Sequence, residues 1–308
     1  MKIYFNRSPV AGPWGGGSKV LASIVDECKS RNYETFFEND IHNLGSVDVI
    51  FCIDPRPHQN VDFSLLLWKK LDTKARLIQR VGDLGTHGKP DLTNLVVQTC
   101  QFSDHVIFPS TWARDTLLEM TSAVKRVAVI DNAPLPCFIS NYEKKDFINT
   151  IKIVTHHWSN NAMKGFDIYE QLDEFCHNSN EKFEFTFIGR KPENINFKNY
   201  IGPKDANELV DLLSRHHIYV TASKFEAGAN HVLEAIGMKL PVLYHSAGGS
   251  IVNYCKDYGL LFNNFDNLAY HLKNNVKELE NISKRMNFDR TTLTMAKEYV
   301  DLFEKEVG

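Results

Sequence analysis

Two glutamates are the residues best placed by type and spacing to do chemistry in this chain. Glu226 and Glu234 are separated by seven residues and follow a short apolar run, Ile218 to Ala222, which reads as a buried strand. Ser223 to Asn230 is polar, contains Gly228 and reads as a strand-to-helix loop. Asn230 is placed to cap a helix through Met238, and Pro241 to Tyr244 reads as the next strand. This series is the βαβ unit of a parallel sheet, whose ligands sit at the carboxyl ends of the strands. Glu226 therefore falls at the lip of a crevice, and Glu234 falls one to two turns into the helix. The amides that open the helix, at Ala229 and Asn230, can face a diphosphate together with the Gly228 backbone. A carboxylate accepts hydrogen bonds from ribose or sugar hydroxyls. Two glutamates at this separation also arise by chance, so an ordinary βαβ unit with surface glutamates is the competing reading.

Glu226, Glu234, the segment EAIGMKLPVL and Gly248-Gly249 together resemble the donor-site signature of retaining glycosyltransferases of family 4. The resemblance implies an α/β chain of the GT-B fold, with two Rossmann-like doubly wound domains facing across a donor-binding cleft. It implies that Glu226 holds the sugar and steadies positive charge at the anomeric carbon, and that Glu234 holds the ribose. The family carries an arginine at the end of one strand and a lysine before the glycine that opens the next helix. Both neutralise the donor diphosphate. Here Thr155-His156-His157-Trp158-Ser159 leads to Lys164-Gly165, and Lys164 matches that lysine. The arginine has no counterpart, since Trp158 or His157 stands in its place. His157, or Arg190 at the next strand end, is left to supply a second positive charge. The paired histidines also read as ring donors fixing a crevice wall. The resemblance sets the Gly189-Arg190 loop against the nucleobase. His216-His217 reads as a helix-end cap.

The elements that must position these residues alternate along the whole chain. Strand-like runs at Lys2 to Phe5, Glu34 to Phe37, Val47 to Ile53, Arg76 to Val81, Val106 to Phe108 and Val127 to Ile130 are separated by helical stretches. This is a doubly wound domain over residues 1–140. A second alternation makes a nucleotide-sugar-binding domain over 141–290. A terminal helix over 291–308 crosses back to the first domain in GT-B proteins. The loop containing Gly15, Gly16 and Gly17 lacks the Gly-Lys-Ser/Thr order of a P-loop and the third glycine of a dinucleotide fingerprint. It reads as a glycine loop that lets a diphosphate or acceptor approach, similar to the family's first-domain loop. Asp83, after Gln79-Arg80-Val81-Gly82, occupies the strand end where relatives place a group near the reacting sugar, and Asp54 is the alternative.

Composition narrows the class. The chain has 308 residues, 43% hydrophobic and 24% charged, with a formal net charge of −3. That describes a soluble globular protein and argues against a nucleic-acid partner. Six scattered cysteines read as reduced core residues of a cytoplasmic protein. No apolar run approaches the roughly 20 residues that span a bilayer. Phe63 to Arg76, FSLLLWKKLDTKAR, sets an apolar block beside four cations, and some relatives dock lipid acceptors there; Leu65, Leu66 and Leu67 read more simply as helix core. The chain contains no Asp-x-Asp to hold a metal on a diphosphate, so no cofactor is expected. The resemblance implies metal-independent transfer of a hexose from a nucleoside-diphosphate sugar to a glycan or other hydroxyl acceptor. GDP-mannose is the first choice of donor, on its frequency in the family, and a UDP-sugar the next. An inactive sugar-nucleotide-binding module and a GT-B epimerase are the alternatives. A homodimer remains open.

Overall fold

The computed structural model describes residues 1–10, 16–42, 44–139, 146–179 and 182–308. The chain divides into two compact units, Met1–Asn132 with Thr292–Gly308, and Ala133–Thr291. The first holds β1 (Lys2–Phe5), α1 (Gly16–Ser30), β2 (Glu34–Phe36), β3 (Val49–Cys52), α2 (Phe63–Thr73), β4 (Arg76–Arg80), α3 (Pro90–Cys100), β5 (His105–Phe108), α4 (Thr111–Met120) and β6 (Val127–Val129). Its strands are parallel, in the order β2-β1-β3-β4-β5-β6. Short strands such as VIFC are buried throughout because helices cover both faces of such a sheet. Local signals start the helices: Asp62 accepts the Leu65 N–H at the head of α2, and Ser110 accepts that of Ala113 at the head of α4.

Two expectations are corrected. Gly16 and Gly17 form the first turn of α1 rather than part of a loop, while Gly15 lies outside the described residues. Five of the cysteines are buried, but Cys137 is exposed, because it sits in the surface turn Pro136–Phe138 of the second unit. On α2, Leu66 is fully buried, while Trp68 and Leu71 stand exposed. No helix among the described residues is long and apolar enough to cross a membrane.

The second unit holds β7 (Ile151–His157), α5 (Phe166–His177), β8 (Phe183–Gly189), β9 (Asn199–Ile201), α6 (Ala206–Leu213), β10 (Ile218–Thr221), α7 (Asn230–Gly237), β11 (Val242–His245), α8 (Ser250–Cys255), β12 (Gly259–Phe262), α9 (Phe265–Asn274) and α10 (Val276–Arg285). Its order is β12-β11-β10-β7-β8-β9, again parallel. The chain lays β8 and β9 to one side of β7, then returns to lay β10, β11 and β12 on the other. Loops leaving β7 and β10 therefore diverge, and the gap between them is where such sheets bind ligands.

The final helix, α11 (Thr292–Val307), belongs to the first unit. Arg31 reaches Asp301 and Glu304, Arg126 pairs with the buried carboxylate of Glu306, and Phe303 packs on Phe51 with ring centroids 5.2 Å apart.

Candidate functional site

The gap between β7 and β10 brings Lys164 to Glu226. After β7, Asn161 accepts the Met163 N–H at 2.8 Å and folds a single turn, Ala162–Lys164. Gly165 ends that turn at φ +77°, and a Cβ there would lie 2.5 Å from the Ala222 carbonyl oxygen. Only glycine permits both the left-handed backbone and the close approach. From the other loop, the Lys224 N–H donates to the Met163 carbonyl at 2.9 Å. With the two loops stitched by backbone, the Lys164 ammonium donates to Glu226 Oε1, the two side chains being 12% and 14% exposed.

Gly248-Gly249 fixes the other side of Glu226. The Phe225 and Glu226 N–H groups donate to the carbonyls of Ala247 and Gly248, and the Ser250 N–H donates to the Glu226 carbonyl. Gly249, at φ +68°, bridges to Glu226, and a Cβ there would lie 2.7 Å from the Glu226 carbonyl oxygen. Phe225, beside Glu226, adopts the left-handed region at φ 55°. A bulky side chain rarely occupies that region outside constrained sites.

Helix α7 starts differently from expectation. Its N-cap is Ala229, not Asn230, and the Ala229 N–H donates to the buried Ser250 hydroxyl at 3.2 Å. The Ala229 amide is thus already committed, because α8 packs its first residue under the loop. Asn230 is the first helical residue, and its Oδ1 is buried without a hydrogen-bond partner. The amides of Asn230, His231 and Val232 lie in the first turn, which has no intrahelical acceptor to offer them. Gly228 precedes them in the loop, half-buried.

Glu234 is buried, and its Oε2 lies 2.8 Å from His156 Nε2. His156 Nδ1 in turn lies 3.1 Å from the Tyr219 hydroxyl. His157 faces the opposite side of the sheet, as alternation along β7 requires. It is buried, with Nε2 2.7 Å from the Tyr169 hydroxyl, which itself accepts the Ala222 N–H. Burial raises the Tyr169 phenol to about 12 and carries that of Tyr219 well above its ordinary value, so both stay protonated as donors. Both histidines are thus tied to a tyrosine inside the unit.

His231, which sequence reasoning missed, stands one residue into α7, with Nε2 3.0 Å from the Thr221 hydroxyl and its ring 5.0 Å from that of His157. Burial, with Lys164 and His156 adding to it against Glu226, lowers its pKa to about 3 and keeps it neutral near pH 7. Lys224 was missed as well; both lie beside the glutamate pair, and adjacency to Glu226 and to the helix start was the only signal available.

The remaining expected residues are dispersed. Gly189, at φ +113°, ends β8 directly beside His157, and a crevice there is lined by His156, His157, Trp158, Ile188, Gly189 and Lys204. Arg190 is exposed; its N–H donates to the His157 carbonyl at 2.9 Å. His216 caps α6 through the Leu212 carbonyl. Asp83, Gly16 and Gly17 lie in the first unit. The Asp83 carboxylate accepts the Gly85 N–H and the Lys89 ammonium. Asp54 chelates Arg56; burial would raise its pKa, but the Arg56 side-chain and backbone donors hold it below the ordinary carboxylate range.

No family model and no curated protein matches the sequence. Solved structures match it over nearly its full length. HepE of Anabaena, solved with UDP and glucose, is similar at 14% identity and a TM-score of 0.72, over 99% of this chain and 100% of that one. Sucrose-phosphate synthase of Thermosynechococcus elongatus is similar at 10% identity and a TM-score of 0.69, over 99% and 98%. The lipopolysaccharide outer core galactosyltransferase WaaB is similar at 13% identity and a TM-score of 0.65, over 98% and 99%. The fold is GT-B, built from two Rossmann-like doubly wound domains.

Proposed function

We propose that this chain is a glycosyltransferase that moves a hexose from a nucleoside-diphosphate sugar to a hydroxyl acceptor, with retention and without a metal. The observation that carries the reading is the Lys164–Glu226 pair, set beside the first turn of α7 at the point where the second sheet reverses its strand order. A diphosphate at that turn would meet helix amides and an ammonium together. Its negative charge grows as the sugar bond breaks, so Lys164 acts more strongly on the transition state than on the bound donor. Glu226, released to the sugar, would accept its hydroxyls and steady positive charge at the anomeric carbon. The acceptor hydroxyl attacks from the face the diphosphate leaves, and a departing phosphate oxygen takes its proton. Glu234 receives the ribose, and the Gly189-Arg190 loop faces the base.

For the donor, the structural likeness to HepE, solved with UDP and glucose and with UDP-glucose, supports a UDP-hexose. The sequence resemblance to family 4 supports GDP-mannose, which stays as the competing donor. A second reading, a sugar-nucleotide-binding module without turnover, rests on one observation: His157 and Trp158 stand where the family has an arginine, and His157 is turned inward onto Tyr169. Calorimetry with UDP, GDP and their hexose conjugates, followed by an assay for released sugar in excess chelator, tests all three points. Binding of one nucleotide series with chelator-resistant turnover is expected. Binding with no turnover favours the module, and turnover that needs added divalent metal overturns the metal-free step.

A further inference from the structure

Glu234 is buried at 3% exposure, and a carboxylate that deep requires a donor. One side-chain partner is His156, whose own contacts define the ring's state. The Tyr219 hydroxyl accepts the His156 backbone N–H at 3.1 Å, so its proton is directed back to His156, where Nδ1 lies at 3.1 Å and the carbonyl oxygen at 3.3 Å. With the hydroxyl donating to Nδ1, a neutral ring carries its proton on Nε2 and donates it to Glu234 Oε2 at 2.8 Å. The three residues come from three elements, β7, β10 and α7, and Tyr219 is fully buried. His156 is 2% exposed and sits against packed neighbours, so its ring has one place to be. Asn230, one turn before Glu234 on the same face of α7, has its buried Oδ1 without a partner, so it does not compete for the His156 donor.

We propose that Tyr219 and His156 are positioning residues that hold the Glu234 carboxylate in the one rotamer able to receive ribose hydroxyls. The proposal rests on the reading that Glu234 binds the ribose. A carboxylate held by one oxygen keeps the lone pairs of the other directed, and a ligand hydroxyl then binds without the cost of immobilising the side chain.

The test compares UDP with 2′,3′-dideoxy-UDP, or the corresponding GDP pair if that series binds more tightly, by calorimetry on the full chain. The wild-type protein should bind the dideoxy nucleotide more weakly. His156→Ala should weaken the ribonucleotide about tenfold more than it weakens the dideoxy nucleotide. His156→Gln, whose amide nitrogen reaches the Nε2 position, should restore most of the difference; His156→Asn, whose amide reaches only the Nδ1 position, should not. Tyr219→Phe is the milder variant should His156→Ala fail to fold, and it should show the same selective pattern at about threefold. Equal weakening of both nucleotides would make His156 a packing residue and overturn the proposal. Equal affinity of the wild type for both nucleotides would overturn the ribose reading of Glu234, and the proposal with it.

Discussion

Each of the two units carries a lysine–carboxylate pair near the carboxyl ends of its strands, and the pairs are built differently. In the first unit Lys89 meets Asp83 at 2.8 Å across six residues, with side chains 45% and 35% exposed. In the second, Lys164 meets Glu226 across 62 residues, with side chains 12% and 14% exposed, from loops joined by backbone hydrogen bonds and two glycine contacts. A local, exposed pair forms wherever the chain turns, and it contributes about 0–1 kcal/mol. A non-local, half-buried pair exists only because the fold pays to keep two charges out of water, which is the arrangement that functional sites share. Asp83 thus ties its own loop together, and Lys164 joins two loops far apart in sequence.

The largest test of that contrast is Lys164→Ala against Lys89→Ala. Lys164→Ala should lower turnover about 10²–10³-fold, in the range of losing one leaving-group donor, with a smaller effect on donor affinity. Lys89→Ala should leave turnover within about twofold. Comparable losses would erase the distinction between the pairs; Lys164→Arg should recover only part of the rate, because a planar fork needs a different placement.

Next in size is the division within the second unit. Glu234→Ala should weaken nucleoside-diphosphate binding roughly ten- to a hundred-fold through loss of a charge-assisted bond. Glu226→Ala should leave that affinity nearly unchanged while depressing turnover. Calorimetry with the free diphosphate measures both, and equal losses would contradict the separate roles.

A smaller effect concerns His231. Its folded pKa lies near 3, below the ordinary value of 6.5, so between those two pH values the unfolded chain binds the extra proton. Stability should therefore be fully present above pH 6.5 and fall as the pH drops towards 3, with a slope of at most about 1.4 kcal/mol per pH unit from this residue. Denaturation of His231→Gln over that window should be flatter; an unchanged slope would mean that His231 titrates normally. The smallest expected effect is at Asp54→Asn, in the first unit, which should change acceptor KM by a few fold and leave donor affinity alone. A donor-affinity loss there would show that the first unit contributes to the diphosphate site.

The parts of this protein that sequence alone determined are those governed by local physics. Apolar runs of four to seven residues between amphipathic stretches have only one common packing, and the expected strands and helices are present, their ends shifted by a residue or two. Gly248-Gly249 and Lys164-Gly165 were legible as motifs because left-handed glycines leave a mark in the sequence. The three-residue β9, the four-residue β12 and the helices α8, α9 and α10 were not; α10, for one, buries only two apolar side chains, Leu279 and Ile282, among many charges. What only the tertiary structure decided is which side chains face one another. Sequence could not tell that Ser250 takes the Ala229 amide, that Asn230 begins α7 without capping it, or that His156 meets Glu234 while His157 turns to Tyr169. Those outcomes depend on the strand order that sets β10 beside β7, a contact between segments more than sixty residues apart on which no local pattern bears.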